Sequence, residues 1–228
     1  MTPLLETRSL SRNFGGLNAV SNVDFTVSDG EVRAIIGPNG AGKTTFVSLI
    51  AGRIASSSGS IVFAGDEITR LPAFKRVRRG IAYTFQITSI YANLTVAENV
   101  ALAARGGNGD IALQRVGLAE RADQAAGTLS YGHQRLLEIA MGLALKPRLL
   151  ILDEPTQGLS DAEIDNFLAL MRGLSGLTTV LLIEHNMLVV MGLADRITVL
   201  DRGSVLAEGT PSEIRADPAV QRAYLGAG

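Results

Sequence analysis

Cysteine and tryptophan are absent from the 228-residue chain, aromatic residues make up 5% of it, and its formal charges nearly cancel at −1. Without thiols there can be no disulfide, no thiolate metal site and no cysteine nucleophile, which is compatible with a reducing compartment. The near-neutral charge supplies no global attraction to nucleic acid or anionic lipid, so no nucleic-acid partner is expected. Long apolar runs are missing too. Runs such as Leu149–Leu152 and Val180–Ile183 fall far short of the ~18 residues that cross a bilayer, so the chain is not expected to span one. The opening MTPLLETRSLSRNF has no basic region followed by a long apolar core and does not read as a signal peptide. No internal repeat or low-complexity tract is present.

What is present is a chain for a folded core, with 46% hydrophobic and 19% charged residues. Short apolar runs bounded by turn signals alternate with helical patterns, the βα alternation of a mostly parallel sheet. Val32–Ile36 reads as a strand entering a glycine-rich loop, with a helix from Lys43. Leu149–Asp153 and Thr179–Glu184 read as further buried strands. Residues 4–28 and 59–64 alternate more weakly, as in an antiparallel layer, so the sheet is expected to be mixed.

Three helix starts carry a capping box, in which a Ser or Thr and a Glu three residues later satisfy each other's orphan backbone donors. These are Thr95–Glu98, Ser160–Glu163 and Thr210–Glu213. The stretch of about 87–148 is mostly helical and lies between two strands. It reads as a helical subdomain inserted into a single domain of residues 1–228, whose core is about 1–86 and 149–228. Gly106–Gly109 would be its flexible joint, and the basic run Phe74–Arg79 a solvated helix face.

Gly37-Pro38-Asn39-Gly40-Ala41-Gly42-Lys43-Thr44 fits the phosphate-loop pattern in its required strand–loop–helix context. Glycines let backbone N–H groups turn inward around phosphate oxygens, and the helix N-terminus adds partial positive charge. Lys43 would reach the β- and γ-phosphates, Thr44 would offer a hydroxyl to Mg²⁺, and Thr45 could contact the α-phosphate. Leu149–Glu154 is an apolar strand ending in two acids. Mg²⁺ needs hard oxygen ligands and keeps several waters, so one carboxylate near Thr44, Asp153, suffices. Glu154 would point elsewhere on the strand and polarise the water attacking the γ-phosphate. Taken alone, Gln86 reads as a surface amide, His185 as a packed strand-end histidine able to contact a phosphate, and Phe14 as a core aromatic able to stack on a purine.

The order of these features, phosphate loop, Gln86, LSYGHQ at residues 129–134, LLILDE, GLSD and Glu184-His185, resembles that of ATP-binding cassette (ABC) ATPases over essentially the whole chain. That resemblance implies an α/β fold of the P-loop NTPase (RecA-like) type, with a mixed-sheet core, an antiparallel β layer and an inserted helical subdomain. It implies ATP and Mg²⁺ as cofactors and makes Phe14 the adenine-stacking residue. Gln86 becomes the loop that senses Mg²⁺ and a transmembrane partner, and His185 the switch histidine. Leu129–Gln134 match the signature motif, whose Ser130 and Gly132 would bind ATP held by a second cassette, in a homo- or heterodimer. His133 stands where Gln is usual, and Ser160 where Asp is usual.

Tyr131, Tyr83–Gln86, Leu182–Met187 and the tail Asp217–Gly226 are similar to the ATPase subunits of branched-chain amino acid importers. The resemblance then implies a peripheral subunit at the cytoplasmic face of the inner membrane, working with permease subunits and, indirectly, an extracytoplasmic solute-binding protein. Urea, short amides or another solute are alternative cargoes, and a soluble non-transport ABC ATPase is an alternative role. LSYGHQ argues against a GTPase-type switch or a nucleotide kinase with the same phosphate loop.

Overall fold

The computed structural model describes residues 3–84, 89–105, 107, 109–174 and 176–225. Gln86, and Gly106 and Asn108 of the expected joint, lie outside them. The chain opens with strands β1 (Leu5–Phe14) and β2 (Leu17–Val27), followed by β3 (Val32–Ile36) and helix α1 (Lys43–Ala51). Next come β4 (Ser58–Phe63), β5 (Asp66–Glu67), α2 (Ala73–Arg78) and β6 (Ile81–Thr84). Between β6 and β7 (Leu149–Asp153) the chain passes through α3 (Val96–Ala103), α4 (Asp110–Arg115) and α5 (Tyr131–Ala144). It ends with α6 (Asp161–Leu174), β8 (Thr179–Ile183), α7 (Met187–Leu193), β9 (Arg196–Asp201), β10 (Ser204–Gly209), α8 (Pro211–Ala216) and α9 (Pro218–Leu225).

A four-stranded antiparallel sheet has the order β2-β1-β4-β5, and a six-stranded sheet the order β10-β9-β3-β8-β7-β6. Within the larger sheet only the edge strand β10 runs antiparallel. The mixed sheet and antiparallel layer are therefore as expected from the sequence. No helix among the described residues is long and apolar enough to cross a membrane.

The apolar runs are continuous because the central strands are covered on both faces, yet each splits by parity, as period-2 side chains must. Leu149 and Ile151 of β7 and Leu181 and Ile183 of β8 join a core with α1 and the antiparallel sheet. Leu150, Leu152, Val180 and Leu182 join a core with α5, α6 and the α3–α4 region. Each fully buried Leu or Ile contributes about 1.5–3 kcal/mol, so the strands that carry the site are clamped from both sides.

Helix α1 is held at both ends. Phe46, Val47, Leu49 and Ile50 are buried, and Phe46 meets the Phe25 ring edge-on with centroids 5.2 Å apart. At its C-terminus the Arg76 guanidinium donates to the carbonyls of Leu49 at 2.7 Å and Ile50 at 2.8 Å, and also to those of Thr69 and Leu71. Arg76 corrects the expectation of a wholly solvated basic run. Lys75, Arg78 and Arg79 are exposed, but Arg76 is buried and donates to carbonyls in the last turn of a neighbouring helix. Burial pushes its pKa down to about 10, which leaves it charged at neutral pH.

The capping boxes at Thr95–Glu98 and Thr210–Glu213 form reciprocally. At Ser160 the Glu163 carboxylate accepts from the Ser160 amide at 2.9 Å and from its hydroxyl at 2.8 Å. There the serine donates its hydroxyl to the partner carboxylate.

Candidate active site

In an open α/β sheet ligands gather at the carboxyl ends of parallel strands. Here β3 delivers the phosphate loop, β7 delivers Asp153 and Glu154, and β8, lying between them, delivers His185. The loop's shape is forced by two close approaches. A Cβ on Gly37 (φ +152°) would stand 2.1 Å from the Leu200 carbonyl oxygen, and one on Gly42 (φ +97°) 2.3 Å from that of Ala19. The ends of β9 and β2 thus grip the loop where only glycine fits. A cavity of about 580 Å³ opens beside it, lined by Asn39, Gly40, Ala41, Gly42, Lys43, Thr44 and Thr45 together with Leu17–Ala19, Glu154 and Arg202. A similar-sized groove beside α7–α9 is lined mostly by Ile36, Met187, Leu188, Met191, Ile214 and Val220. It lacks the convergent polar groups that a phosphate needs.

Lys43 Nζ donates to the carbonyls of Gly37 at 2.7 Å and Pro38 at 3.0 Å. Burial lowers its pKa, and the fields of Glu154 and Asp153 oppose that shift. The Asp153 carboxylate is buried, which raises its pKa, while the Tyr83 hydroxyl donating at 2.6 Å to Oδ2 pulls it back. Burial and that same bond raise the Tyr83 pKa, so it remains a phenol. The other oxygen, Asp153 Oδ1, is buried and has no hydrogen-bond partner among the described residues. A buried orphan carboxylate oxygen costs free energy unless a cation or donor reaches it, so the donor set fits Mg²⁺. Among the described residues no three acidic or histidine side chains cluster as a metal cage. A cation here would depend on Asp153, Thr44 and ligand or water oxygens.

Glu154 departs from the expected picture of a strand residue. Strand β7 ends at Asp153, and Glu154 has φ +50°, a left-handed backbone uncommon outside glycine and found at strained functional positions. Its amide is fixed by the Ile183 carbonyl at 2.9 Å. The turn, rather than strand alternation, therefore aims its carboxylate into the cavity. Glu154 Oε1 lies 3.9 Å from His185 Nδ1, and the His185 ring is 62% exposed.

Glu184 was expected as a strand end and as the residue before the switch histidine, with no role of its own, and the structure gives it one. It is 1% exposed. One carboxylate oxygen accepts from the Thr156 amide at 3.0 Å and from the Thr156 hydroxyl; the other accepts from the amides of His185 at 2.8 Å and Asn186 at 2.9 Å. It ties the segment after Glu154 to the loop carrying His185. An acid placed directly after an unbroken apolar strand was the available signal. Tyr83 was quoted only as part of the Tyr83–Gln86 stretch, with no role of its own, and Arg202 was not singled out.

Phe14 ends β1, is 45% exposed and carries the Arg12 guanidinium 4.4 Å from its ring centroid. It stands at the turn before the cavity-lining Leu17–Ala19 but is not itself among the lining residues. Ser130 and Gly132 do not line that cavity either. Ser130 is the N-cap of α5, its Oγ accepting from the His133 amide. A Cβ at Gly132 would lie 2.0 Å from Glu163 Oε1, so a side chain there would have to displace the Glu163 carboxylate.

A phosphate loop, a buried carboxylate with one free oxygen, and a second carboxylate beside a histidine define a P-loop nucleoside-triphosphatase. The family model described as "ABC transporter" matches residues 20–157, and that of the "Branched-chain amino acid ATP-binding cassette transporter" matches residues 204–228. The chain is 40% identical to the high-affinity branched-chain amino acid transport ATP-binding protein BraF of Pseudomonas aeruginosa, and 39% identical to LivG of Escherichia coli K12. In both comparisons 98% of each chain is covered. A crystal structure of the ADP conformation of an ABC transporter's ATP-binding cassette superposes with a TM-score of 0.90 at 27% identity, covering 99% of this chain and 100% of that one. The chain belongs to the ATP-binding cassette ATPases of ABC transporters.

Proposed function

We propose that the chain is the ATP-hydrolysing motor subunit of an importer for branched-chain or other hydrophobic amino acids. The observation that carries the chemistry is the convergence of Lys43, Asp153, Glu154 and His185 at the ends of three parallel strands. The cargo class rests on the BraF and LivG relatives and on the matched tail.

In this reading Gly37–Thr45 hold the triphosphate, with Lys43 moving from its loop carbonyls onto the β- and γ-phosphate oxygens and Phe14 stacking on adenine. Thr44, Asp153 and Gln86 hold Mg²⁺, which when bound neutralises developing phosphate charge. Glu154 takes a proton from the attacking water, and His185 faces the γ-phosphate from the end of β8. Ser130 and Gly132, which do not line the cavity beside the chain's own phosphate loop, engage ATP carried by a second cassette, homo- or heteromeric. Residues of about 87–148 form the inserted subdomain. Gln86–Glu98 receive a cytoplasmic helix of the permease, placing the subunit peripherally at the inner face of the membrane, with the solute-binding protein met only indirectly.

A steady-state phosphate-release assay on the purified chain tests the hydrolysis. Uptake of leucine, isoleucine and valine by a strain lacking this subunit and any redundant system tests the cargo, and normal uptake there would refute it.

A further inference from the structure

The residue that departs from the signature pattern touches the serine on which that pattern depends. Ser130 Oγ lies 2.8 Å from His133 Nδ1 and 3.3 Å from the His133 amide, whose hydrogen it accepts. A serine hydroxyl has one hydrogen and two acceptor lone pairs. When Nδ1 is unprotonated, the short contact needs the Ser130 hydrogen, and none is left for a phosphate. When Nδ1 carries a proton, the ring donates instead: the oxygen accepts from Nδ1–H and from the amide, and its hydrogen is freed.

We propose that His133 is a positioning residue for Ser130, neutral with its hydrogen on Nε2 and its Nδ1 accepting from the hydroxyl, so that a proton arriving on Nδ1 decides whether the Ser130 hydroxyl can donate to the γ-phosphate held by the facing cassette. The inference rests on the composite-site reading above. Imidazole is the side chain whose ordinary titration falls in the physiological range, so this cassette's closure is pH-dependent, stronger on the acid side. The charged groups around the ring belong to two neighbouring elements. Glu163 on α6 is held below the usual carboxylate range by the Ser160 amide and hydroxyl, with a smaller part from His133, and so stays anionic through the neutral range. Arg115 on α4 lines the same groove as His133, along with the neutral Gln114 and Asn166.

Glutamine, the usual residue here, has an amide that can donate to Ser130 at any pH. ATP-driven association of the Glu154→Gln chain is measured by sedimentation with Mg²⁺–ATP at about pH 6 and about pH 8, the range over which histidine changes charge. The second and third samples add His133→Gln or Ser130→Ala. Losing the Ser130 hydroxyl's charge-assisted hydrogen bond to the phosphate should weaken association about tenfold per site at the higher pH. With His133→Gln that slope should flatten, with association at high pH as tight as the parent's at low pH. His185, the other of the chain's two histidines, is the same in every sample, so the comparison isolates His133. If Ser130→Ala weakens association but His133→Gln keeps the parent slope, the role of His133 is refuted and the composite site stands. If nothing associates at either pH, or Ser130→Ala matches the parent, the composite-site reading fails and the inference with it.

Discussion

Replacing Glu184 by Gln removes one charge and turns one acceptor oxygen into a donor at a site where four donors converge. The amides of His185 and Asn186 cannot reverse, so the new NH₂ must face Thr156. There the hydroxyl can turn to accept, but the Thr156 amide is orphaned. An orphaned buried donor costs about 1–3 kcal/mol, and each of the two retained amide bonds loses about 1 kcal/mol on passing from charge-assisted to neutral. Relief from burying a carboxylate offsets part of this, leaving a net loss of about 2–3 kcal/mol. Urea unfolding should show it as a midpoint lowered by about 1 M with an unchanged slope. Amide exchange at His185 and Asn186 should quicken. Because Glu184 holds both the segment after Glu154 and the His185 loop, hydrolysis should fall about 10–10²-fold, by analogy with small misplacements of catalytic groups, while ATP binding persists. A parent-like unfolding midpoint together with parent-like turnover would refute the argument that this carboxylate couples the two loops.

Three further outcomes follow from the geometry. Glu154→Gln should retain ATP binding and lose about 10²–10⁴ in turnover, whereas Lys43→Ala should lose tight binding; isothermal titration and phosphate release separate the two. Arg76→Met should destabilise the fold by about 2–4 kcal/mol, because the α1 carbonyls of Leu49 and Ile50 lose their buried donor, and thermal unfolding reads it. Glu138 on α5 is buried and its pKa is raised by that burial, against the opposing Ser89 amide and Arg135. The folded state therefore holds this proton more tightly than the unfolded chain. Its contribution to stability is full below the ordinary glutamate range and is lost as pH rises through the higher folded value. Glu138→Gln should flatten the fall in stability across that window, as measured by urea midpoints at successive pH values.

The phosphate loop was legible in the sequence because its mechanism is local: Gly37–Thr44 are contiguous, and the strand before and helix after them are short-range patterns. The reciprocal boxes at Thr95 and Thr210 were legible for the same reason, as was the parity of β7 and β8 once both faces were known to be covered. Tertiary structure decided everything that depends on neighbours distant in the chain. Strand order sets β8 between β3 and β7, and only that order brings His185 within 3.9 Å of Glu154. The left-handed turn at Glu154 reflects an amide captured by the Ile183 carbonyl, and no propensity encodes such a partner. Arg76 looked like one more surface cation because its carbonyl partners on α1 lie more than twenty positions earlier. Glu184, Tyr83 and the Ser130–His133 contact were hidden in a similar way: a residue type states which hydrogen bonds it can make, but only packing selects which ones it does make.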